Sequence, residues 1–146
     1  LTGNYNYFTC TQESDFYEMI ADNPIDKAIV MEGGDTNIER IEKAAQYQEA
    51  WKQEIQYTLN ILKQYLDEGD YEEICAAYQS WENYIDNLQS IETEIFYPSG
   101  KYQIGSGMSY PMPMEAKAAR IKHFALILMS WEYEFTGNIE FAFSEE

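Results

Sequence analysis

Residues 36–66 read TNIERIEKAAQYQEAWKQEIQYTLNILKQYL and carry the clearest helical signal of the chain. Thr36, followed three positions later by Glu39, forms a capping box, which signals the start of a helix. Behind it, apolar residues recur mostly at steps of three and four, the spacing of one buried helix face. They are Ile38, Ile41, Ala45, Trp51, Ile55, Leu59, Leu62 and Leu66. The pattern predicts a long helix that Gly69 stops.

A second long helix is predicted directly after Gly69. Residues 70–73, DYEE, resemble a capping box in which Asp replaces Ser or Thr. Pro98 closes the helix, because a proline disfavours helical geometry in the residue before it. Its apolar stripe consists of Ile74, Ala77, Trp81, Ile85, Leu88, Ile91 and Ile95. Since only a few residues connect the two long helices, we expect them to lie antiparallel and adjacent.

A third long helix is predicted over residues 114–135, and its apolar face is the broadest of the three. One side is lined by Ile121, Phe124, Leu128, Trp131 and Phe135. The face is widened by Ala125, Leu126, Ile127 and Met129. A helix that is apolar over so much of its surface is usually buried, so we expect this one to be central.

The two ends of the chain carry weaker signals. Residues 1–11 are expected to be extended and to precede a short helix over about residues 12–21. Asn23-Pro24 predicts a second short helix, with Asn as the cap and Pro in the first helical position. Gly33-Gly34 is its expected end. The tail, residues 137–146, alternates apolar and polar residues and either docks along the bundle or pairs weakly as a strand.

These elements predict one all-α domain over residues 1–146. Its architecture is an antiparallel bundle of three main helices, with one or two short N-terminal helices and a long loop, residues 98–113, before the last main helix. A chain of 146 residues can bury a core without a metal or a disulfide. Cys10 and Cys75 are too far apart for a CxxC motif, so they either form a disulfide or remain free thiols.

The chain is strongly acidic, with a net charge of −17 from 26 acids and 9 bases. Residues 64–100 contain nine acids and no Lys or Arg. This charge argues against nucleic acids and anionic membranes as partners, because both bind positive surfaces. It would attract a basic protein, although solubility alone explains it equally well. The longest apolar stretch, residues 124–129, is too short to span a membrane.

The sequence offers little for catalysis or for binding a metal. His123 is the single histidine, and it lies in an apolar helix without the further ligands that a zinc site needs. We see no nucleophile elbow and no phosphate-binding loop. We therefore expect a binding protein with no catalytic residue, metal or cofactor. A hydrolase with an unrecognised pair of carboxylates is the less favoured alternative.

The loop over residues 98–113, PSGKYQIGSGMSYPMP, is long for a compact domain, and long loops are often functional. Tyr and Met are enriched in protein interfaces, and they recur in and beside this loop. They are Tyr97, Tyr102, Met108, Tyr110, Met112 and Met114. The loop either engages a partner or packs over the end of the bundle, with its aromatic side chains covering the core.

Several short motifs resemble the LprI-type lysozyme-inhibitor N-terminal domain, a family of the bacterial envelope. That family has a Leu-Asn pair on one helix, a Trp followed by Tyr-Arg-Asp on the next, a Gly-Ser loop, and an Arg on a further helix. The matching positions are Leu59-Asn60, then Trp81, Tyr84 and Asp86, then Gly105-Ser106-Gly107, and Arg120. Residues 23–26, NPID, also resemble an opening seen in some members.

This chain also departs from the family's pattern. Ile85 stands where the family usually has Arg, and Tyr78 stands where Gln is common. Cys10 and Cys75 do not reproduce the family's cysteines near these helices. The motifs are short, and together they span roughly residues 23–130.

The resemblance implies an extracytoplasmic bacterial domain, secreted or lipid-anchored at the cell envelope. It implies less directly that the domain binds or inhibits a basic lysozyme or another cell-wall hydrolase. Inhibitors of this kind insert a loop into the enzyme's cleft, so the expected contacts are Tyr102, Ser106, Met108 and Tyr110. The alternative is a structural or assembly role at the envelope without inhibition.

The matched residues also have a purely structural interpretation. Leu59, Trp81 and Tyr84 lie on apolar stripes and would pack in the core. Asp86 would hydrogen-bond either the backbone of the loop or Arg120. A buried Asp–Arg pair would hold the loop and the helices together.

Overall fold

The computed structural model describes residues 9–11, 13–104 and 110–144. Within these residues every regular element is an α-helix, as the sequence predicts. The helices are α1 (Ser14–Ala21), α2 (Pro24–Ala28), α3 (Asn37–Leu62), α4 (Glu68–Phe96) and α5 (Met112–Thr136). None of these five helices is long and apolar enough to cross a membrane. Residues 1–8, most of the segment expected to be extended, lie outside the described part of the chain.

The three long helices form an up-down-up bundle. α3 and α5 run parallel, as shown by the ion pair between Arg40 near the start of α3 and Glu115 near the start of α5. At the other end, Tyr65 just beyond α3 stacks on Phe135 of α5. α4 runs antiparallel to both, and the bundle of three main helices predicted from the sequence is confirmed.

α5 is the central helix, as its broad apolar face predicts. Its backbone comes close to both α3 and α4, whereas α3 and α4 approach each other at few points. The two helices joined by the short connection are therefore antiparallel, but they pack mainly on α5 and little on each other. The reason is that α5 offers apolar surface on two sides. Its buried residues are Pro113, Ala118, Ile121, Phe124, Ala125, Leu126, Leu128, Met129, Ser130 and Glu132.

The boundary between α3 and α4 differs from the sequence prediction. α3 ends at Leu62, not at Gly69, and residues 63–66 form turns. α4 begins at Glu68, with Asp67 as its N-cap accepting the backbone N–H of Asp70 at 2.8 Å. Gly69 thus lies inside the first turn of α4. Asp67 caps the helix three residues earlier than the DYEE motif suggests, because a capping Asp needs only a free N–H two or three residues ahead.

The observed ends of the two short helices also differ from those predicted from the sequence. α1 begins at Ser14 and not at residue 12. α2 starts at Pro24 as predicted, and the Asn23 side chain accepts the backbone N–H of Asp26 at 2.8 Å. It ends at Ala28 because Ile29 adopts extended backbone angles, so Gly33-Gly34 does not terminate it. α4 ends at Phe96, just before Pro98, as expected.

The described tail, residues 137–144, docks on the bundle and forms no strand. Gly137 ends α5 in the left-handed conformation, with φ of 76°, which a side chain would disfavour. Ile139 is buried, and Phe141 and Phe143 pack against the core. Of the two alternatives raised by the alternating sequence, the structure has the docked tail.

The capping box at the start of α3 provides a test of local stability. Thr36 Oγ1 accepts the Glu39 N–H at 3.1 Å, and Glu39 Oε1 accepts the Thr36 N–H at 2.8 Å. Replacing Thr36→Ala is expected to lower the free energy of unfolding by about 1 kcal/mol, because the Glu39 N–H loses the side-chain oxygen that accepts it. Urea unfolding measures this change in the free energy of unfolding. Glu42→Ala, exposed on the same helix and outside the cap, is the control and should change stability by less than about 0.5 kcal/mol.

Candidate functional site

One end of the bundle concentrates the exposed apolar side chains of the described residues. At this end α3 begins, α4 ends and α5 begins, as the Arg40–Glu115 pair and the Gln89–Met114 contact show. Thirteen large apolar residues are exposed in the described part of the chain. Nine of them lie here: Val30, Met31, Ile38, Ile91, Phe96, Tyr102, Ile104, Tyr110 and Met112. We call these nine residues the apolar end.

The described parts of the loop are held in place by the end of α4. The Lys101 N–H donates to Glu94 Oε1 at 2.8 Å, and the Tyr102 N–H donates to the Glu94 carbonyl at 3.4 Å. Gly100 packs so closely that a Cβ there would overlap the Glu94 carbonyl. The rings of Tyr97 and Tyr110 stack with their centroids 4.4 Å apart, which joins the two sides of the loop. The loop therefore presents its exposed residues from a supported base.

The expected contact residues of the loop fall into two groups. Tyr102 is 52% exposed, and its neighbour Ile104 is 73% exposed. Tyr110 is less exposed because it stacks on Tyr97. Ser106 and Met108 lie outside the described residues. Among the described loop residues, Tyr110 packs on the fold, whereas Tyr102 and Ile104 present exposed apolar surface.

The segment before α3 completes the apolar end. The Lys43 ammonium donates to the Val30 carbonyl at 2.8 Å and pairs with Asp35 at 3.1 Å, which ties residues 30–35 to α3. Beside this segment is a groove of about 350 Å³. It is lined mainly by apolar side chains, including Ile29, Val30 and Met31. This groove could not be predicted from the sequence, because residues 29–35 have no regular periodicity.

The bases of the chain are largely neutralised by nearby acids. Six ion pairs occur in the described residues, and they use six of the nine bases: Lys27, Arg40, Lys43, Lys117, Arg120 and Lys122. On α4, Asp86 and Glu92 each pair with a base of α5. The other acids of α4 have no base in these ion pairs, so α4 presents a strongly negative surface. The excess of negative charge is therefore concentrated on α4, in addition to being a feature of the whole composition.

The described residues of the family motifs occupy two regions of the bundle, and Gly105-Ser106-Gly107 lie outside the described residues. The Trp81 and Tyr84 rings contact each other with centroids 5.6 Å apart, and Arg120 lies close to Tyr84. Leu59 is buried and Asn60 is exposed, towards the far end of α3. Leu59 and Trp81 pack against the core as expected. Tyr84 does not, since it is 53% exposed.

The expected pairing of Arg120 with Asp86 is wrong. Arg120 makes a bidentate pair with Glu92, at 2.8 and 2.7 Å, and this hydrogen bonding raises the pKa of the guanidinium. Asp86 pairs instead with Lys117 at 3.1 Å. Residues on antiparallel helices meet in reverse order, which would pair Asp86 with Arg120 and Glu92 with Lys117. The observed pairs are the opposite, so the reach of the long side chains decides the pairing and not the order along the helices. Sequence motifs alone did not resolve which acid faces Arg120.

A partly buried polar cluster that adjoins the groove was not predicted. Asp26 accepts hydrogen bonds from Tyr47 Oη, from Lys122 Nζ at 2.9 Å and from Asn23 Nδ2 at 2.9 Å. Burial would raise the pKa of Asp26, but these hydrogen bonds outweigh it and lower the pKa below its usual value. The cluster fastens α2 to α3 and α5. The Asn-Pro start of α2 signalled the cap but not these long-range contacts.

A second unpredicted feature is a pair of buried carboxylates, Glu54 on α3 and Glu132 on α5. They are 0% and 1% exposed. Each stands at helical spacing within an apolar stripe, three residues after Trp51 and four after Leu128. That position was the available signal, because an acid on a buried stripe is rare and needs a partner. Tail backbone covers both carboxylates, so the pair is not open to a substrate while the tail is docked.

The other candidate groups are placed as follows. No set of three His, Cys, Asp or Glu side chains in the described residues is arranged to hold a metal ion. His123 is partly buried, and burial together with the nearby Lys122 lowers its pKa. Cys10 is exposed and Cys75 partly exposed, and both are free thiols.

Comparison of the chain with protein-family models, with curated proteins and with solved structures gives no match. The function is therefore argued from the geometry of the site.

Proposed function

We propose that this domain binds another protein through the apolar end, and that its partner is a basic protein. The observation that carries the proposal is the placement of nine of the thirteen exposed large apolar residues at one end of the bundle. Monomeric proteins rarely expose contiguous apolar surface without a use for it. Aromatic and Met side chains at the centre of such a patch are the types that dominate binding energy.

The charge of the domain supports a basic partner. The net charge is −17, and the acids of α4 outnumber the bases that pair with them. Such a surface attracts a positively charged protein and accelerates the encounter, while the apolar contacts retain it. A lysozyme or another cell-wall hydrolase at the bacterial envelope is the first partner class to test, since the resemblance of the motifs to the LprI-type family points to it. An extracytoplasmic location belongs to the same proposal.

The position of the apolar residues favours binding over a purely structural role. An assembly domain would be expected to present apolar patches along its helix faces. Here the exposed apolar residues gather around the loop and the adjoining helix ends instead. The four exceptions are Tyr57 and Tyr84 on helix surfaces, and Tyr65 and Phe135, which stack on each other at the opposite end of the bundle.

The test is a titration of a basic lysozyme with the domain, followed by size-exclusion chromatography and by lysis of cell walls. We expect co-elution and reduced lysis in about 50 mM salt, and a markedly weaker complex in about 500 mM salt, because salt screens the attraction. No complex and no protection at excess domain would rule lysozyme out. Self-association of the domain alone would support the assembly role.

The apolar end should dominate the affinity. The double variant with Tyr102→Ala and Ile104→Ala is expected to weaken binding about 30-fold, the effect of removing about 2 kcal/mol of contact energy. Both side chains are exposed, so stability should not change. Tyr57→Ala, which removes an exposed Tyr of α3 away from this end, is the matched control and should stay within about twofold. Equal losses in both variants would contradict the assignment of the surface.

A further inference from the structure

The C-terminal tail is fastened to the bundle by two carboxylates. After Gly137, the chain turns back and lays residues 139–143 over α3 and α5. Glu54 on α3 accepts the N–H of Ala142 at 3.0 Å and the N–H of Phe143 at 2.7 Å. Glu132 on α5 accepts the N–H of Glu140 at 3.0 Å. Three backbone amides of an otherwise irregular segment thus depend on two side chains for their hydrogen bonds.

The two carboxylates are not equally satisfied. Each oxygen of Glu54 accepts one amide, which suits an ionised carboxylate. Glu132 uses only Oε2, and its buried Oε1 has no hydrogen-bond partner in the described structure. An ionised oxygen in that position is poorly stabilised. Glu132 is therefore the member of the pair that is better accommodated with a proton.

The charges around Glu132 act in the same direction. The charged groups that act on it are Glu54 from α3 and Glu140 from the tail, both acidic. On the side of α1, Glu13 and Asp15 act on the neighbouring Tyr133 and are also acidic. Burial, with a smaller effect of these acids, raises the pKa of Glu132 from 4.5 to about 7, although the Glu140 amide opposes it. Burial likewise raises the pKa of Glu54.

We propose that Glu132, beside the fixed clamp Glu54, is a proton-operated latch for the C-terminal tail. Protonated Glu132 holds residues 139–143 on the bundle, and loss of the proton releases them. Release would uncover the apolar side chains of Ile139, Phe141 and Phe143 together with the surface that they cover on α3 and α5. The device is separate from the apolar end and does not depend on the partner proposed for that end.

The sign of the pH dependence follows from linkage. Glu132 has a higher pKa with the tail docked than the ordinary 4.5 that it would regain in water, so docking takes up a proton. Docking is therefore strongest below about pH 4.5 and weakens as the pH rises through 7. Between pH 5 and pH 8 the docking equilibrium constant should fall about 70-fold.

The test is amide hydrogen exchange by NMR on the whole domain, expressed as protection factors so that the intrinsic effect of pH is removed. We expect the protection of Glu140, Ala142 and Phe143 to fall about 70-fold from pH 5 to pH 8. Amides in the middle of α5 should keep their protection over the same range, which separates tail release from global unfolding. Constant or rising protection of the tail amides in the unaltered protein would overturn the proposal.

Two variants assign the effect to Glu132. Glu132→Gln keeps the shape of the protonated side chain and cannot ionise, so its tail amides should lose most of the decrease between pH 5 and pH 8, and only the part due to Glu54 should remain. Glu72→Gln removes the same charge from an exposed position of α4 and should retain the full decrease. A decrease in Glu132→Gln equal to that of the unaltered protein would remove Glu132 from the mechanism. If Glu132→Gln does not fold, the measurement on the unaltered protein still decides whether the latch exists.

Discussion

Replacing Trp51→Ala is expected to lower the free energy of unfolding by about 3–5 kcal/mol, the largest effect of any single substitution considered for this domain. Trp51 is completely buried on α3. Its ring contacts Tyr47, with centroids 6.2 Å apart, and lies 5.5 Å from the Lys122 ammonium of α5. Truncation would leave a cavity between α3 and α5 that the surrounding helices cannot fill. Small domains are stable by only about 5–15 kcal/mol, so much of the stability would be lost.

Urea unfolding followed by circular dichroism measures this loss. Trp51→Phe should cost about 1–2 kcal/mol, because the ring remains and the buried indole N–H, which has no hydrogen-bond partner among the described residues, is removed. Tyr57→Ala on the same helix, 37% exposed, is the control and should cost less than about 1 kcal/mol. A loss for Trp51→Ala no larger than that of the control would contradict the central position of Trp51.

Replacing Phe124→Ala is expected to have the second largest effect, also about 3–5 kcal/mol. Phe124 is buried on α5 and stacks on Tyr78 and Trp81 of α4, with centroids 5.3 and 5.7 Å away. Each such aromatic contact adds about 0.5–1.5 kcal/mol beyond the burial of area. Because α4 packs mainly on α5, this aromatic group is the principal link between them.

Phe135→Ala is the matched control for this second substitution. It makes the same chemical change near the end of the same helix, where the side chain is 49% exposed and stacks on Tyr65 at 5.3 Å. We expect it to cost no more than about 1 kcal/mol. The midpoint of thermal unfolding should therefore fall far more for Phe124→Ala than for Phe135→Ala. Equal shifts would show that α4 is held by other contacts.

The contacts of Phe124 with Tyr78 and Trp81 illustrate how well helical spacing predicts which side chains are buried. Trp81 and Phe124 were placed on buried stripes from the sequence, and both pack in the core. Tyr78 is buried as well but was not assigned to the stripe of α4, because Tyr is equally common at a core rim. Ile38 and Ile91 follow the spacing and are exposed, since the bundle ends before their neighbours can cover them. Periodicity identifies a face of a helix, but it does not show where along that face the partner helix stops.

The candidate site was foreseen in part. Tyr102 was expected to be available for contact and is exposed, and Pro98 marked the end of α4 correctly. Val30 and Met31 were not expected in the same surface, because contacts distant in the chain, such as that of Lys43 with the Val30 carbonyl, bring them there. Asp86 was expected to bond either the loop backbone or Arg120, but it pairs with Lys117, and Arg120 pairs with Glu92. Contacts of this kind depend on the relative height of two helices, which short motifs do not encode.

The helical class, the three long helices, the caps at Thr36 and Asn23 and the central position of α5 could all be predicted from the sequence. These features depend on interactions between residues three or four positions apart, which the sequence shows directly. Three features required the packed helices: which exposed apolar residues gather at one end, which acids face which bases, and that Glu54 and Glu132 receive the tail. Each of these brings together residues far apart in the chain, and their distances follow from how the helices pack rather than from local spacing.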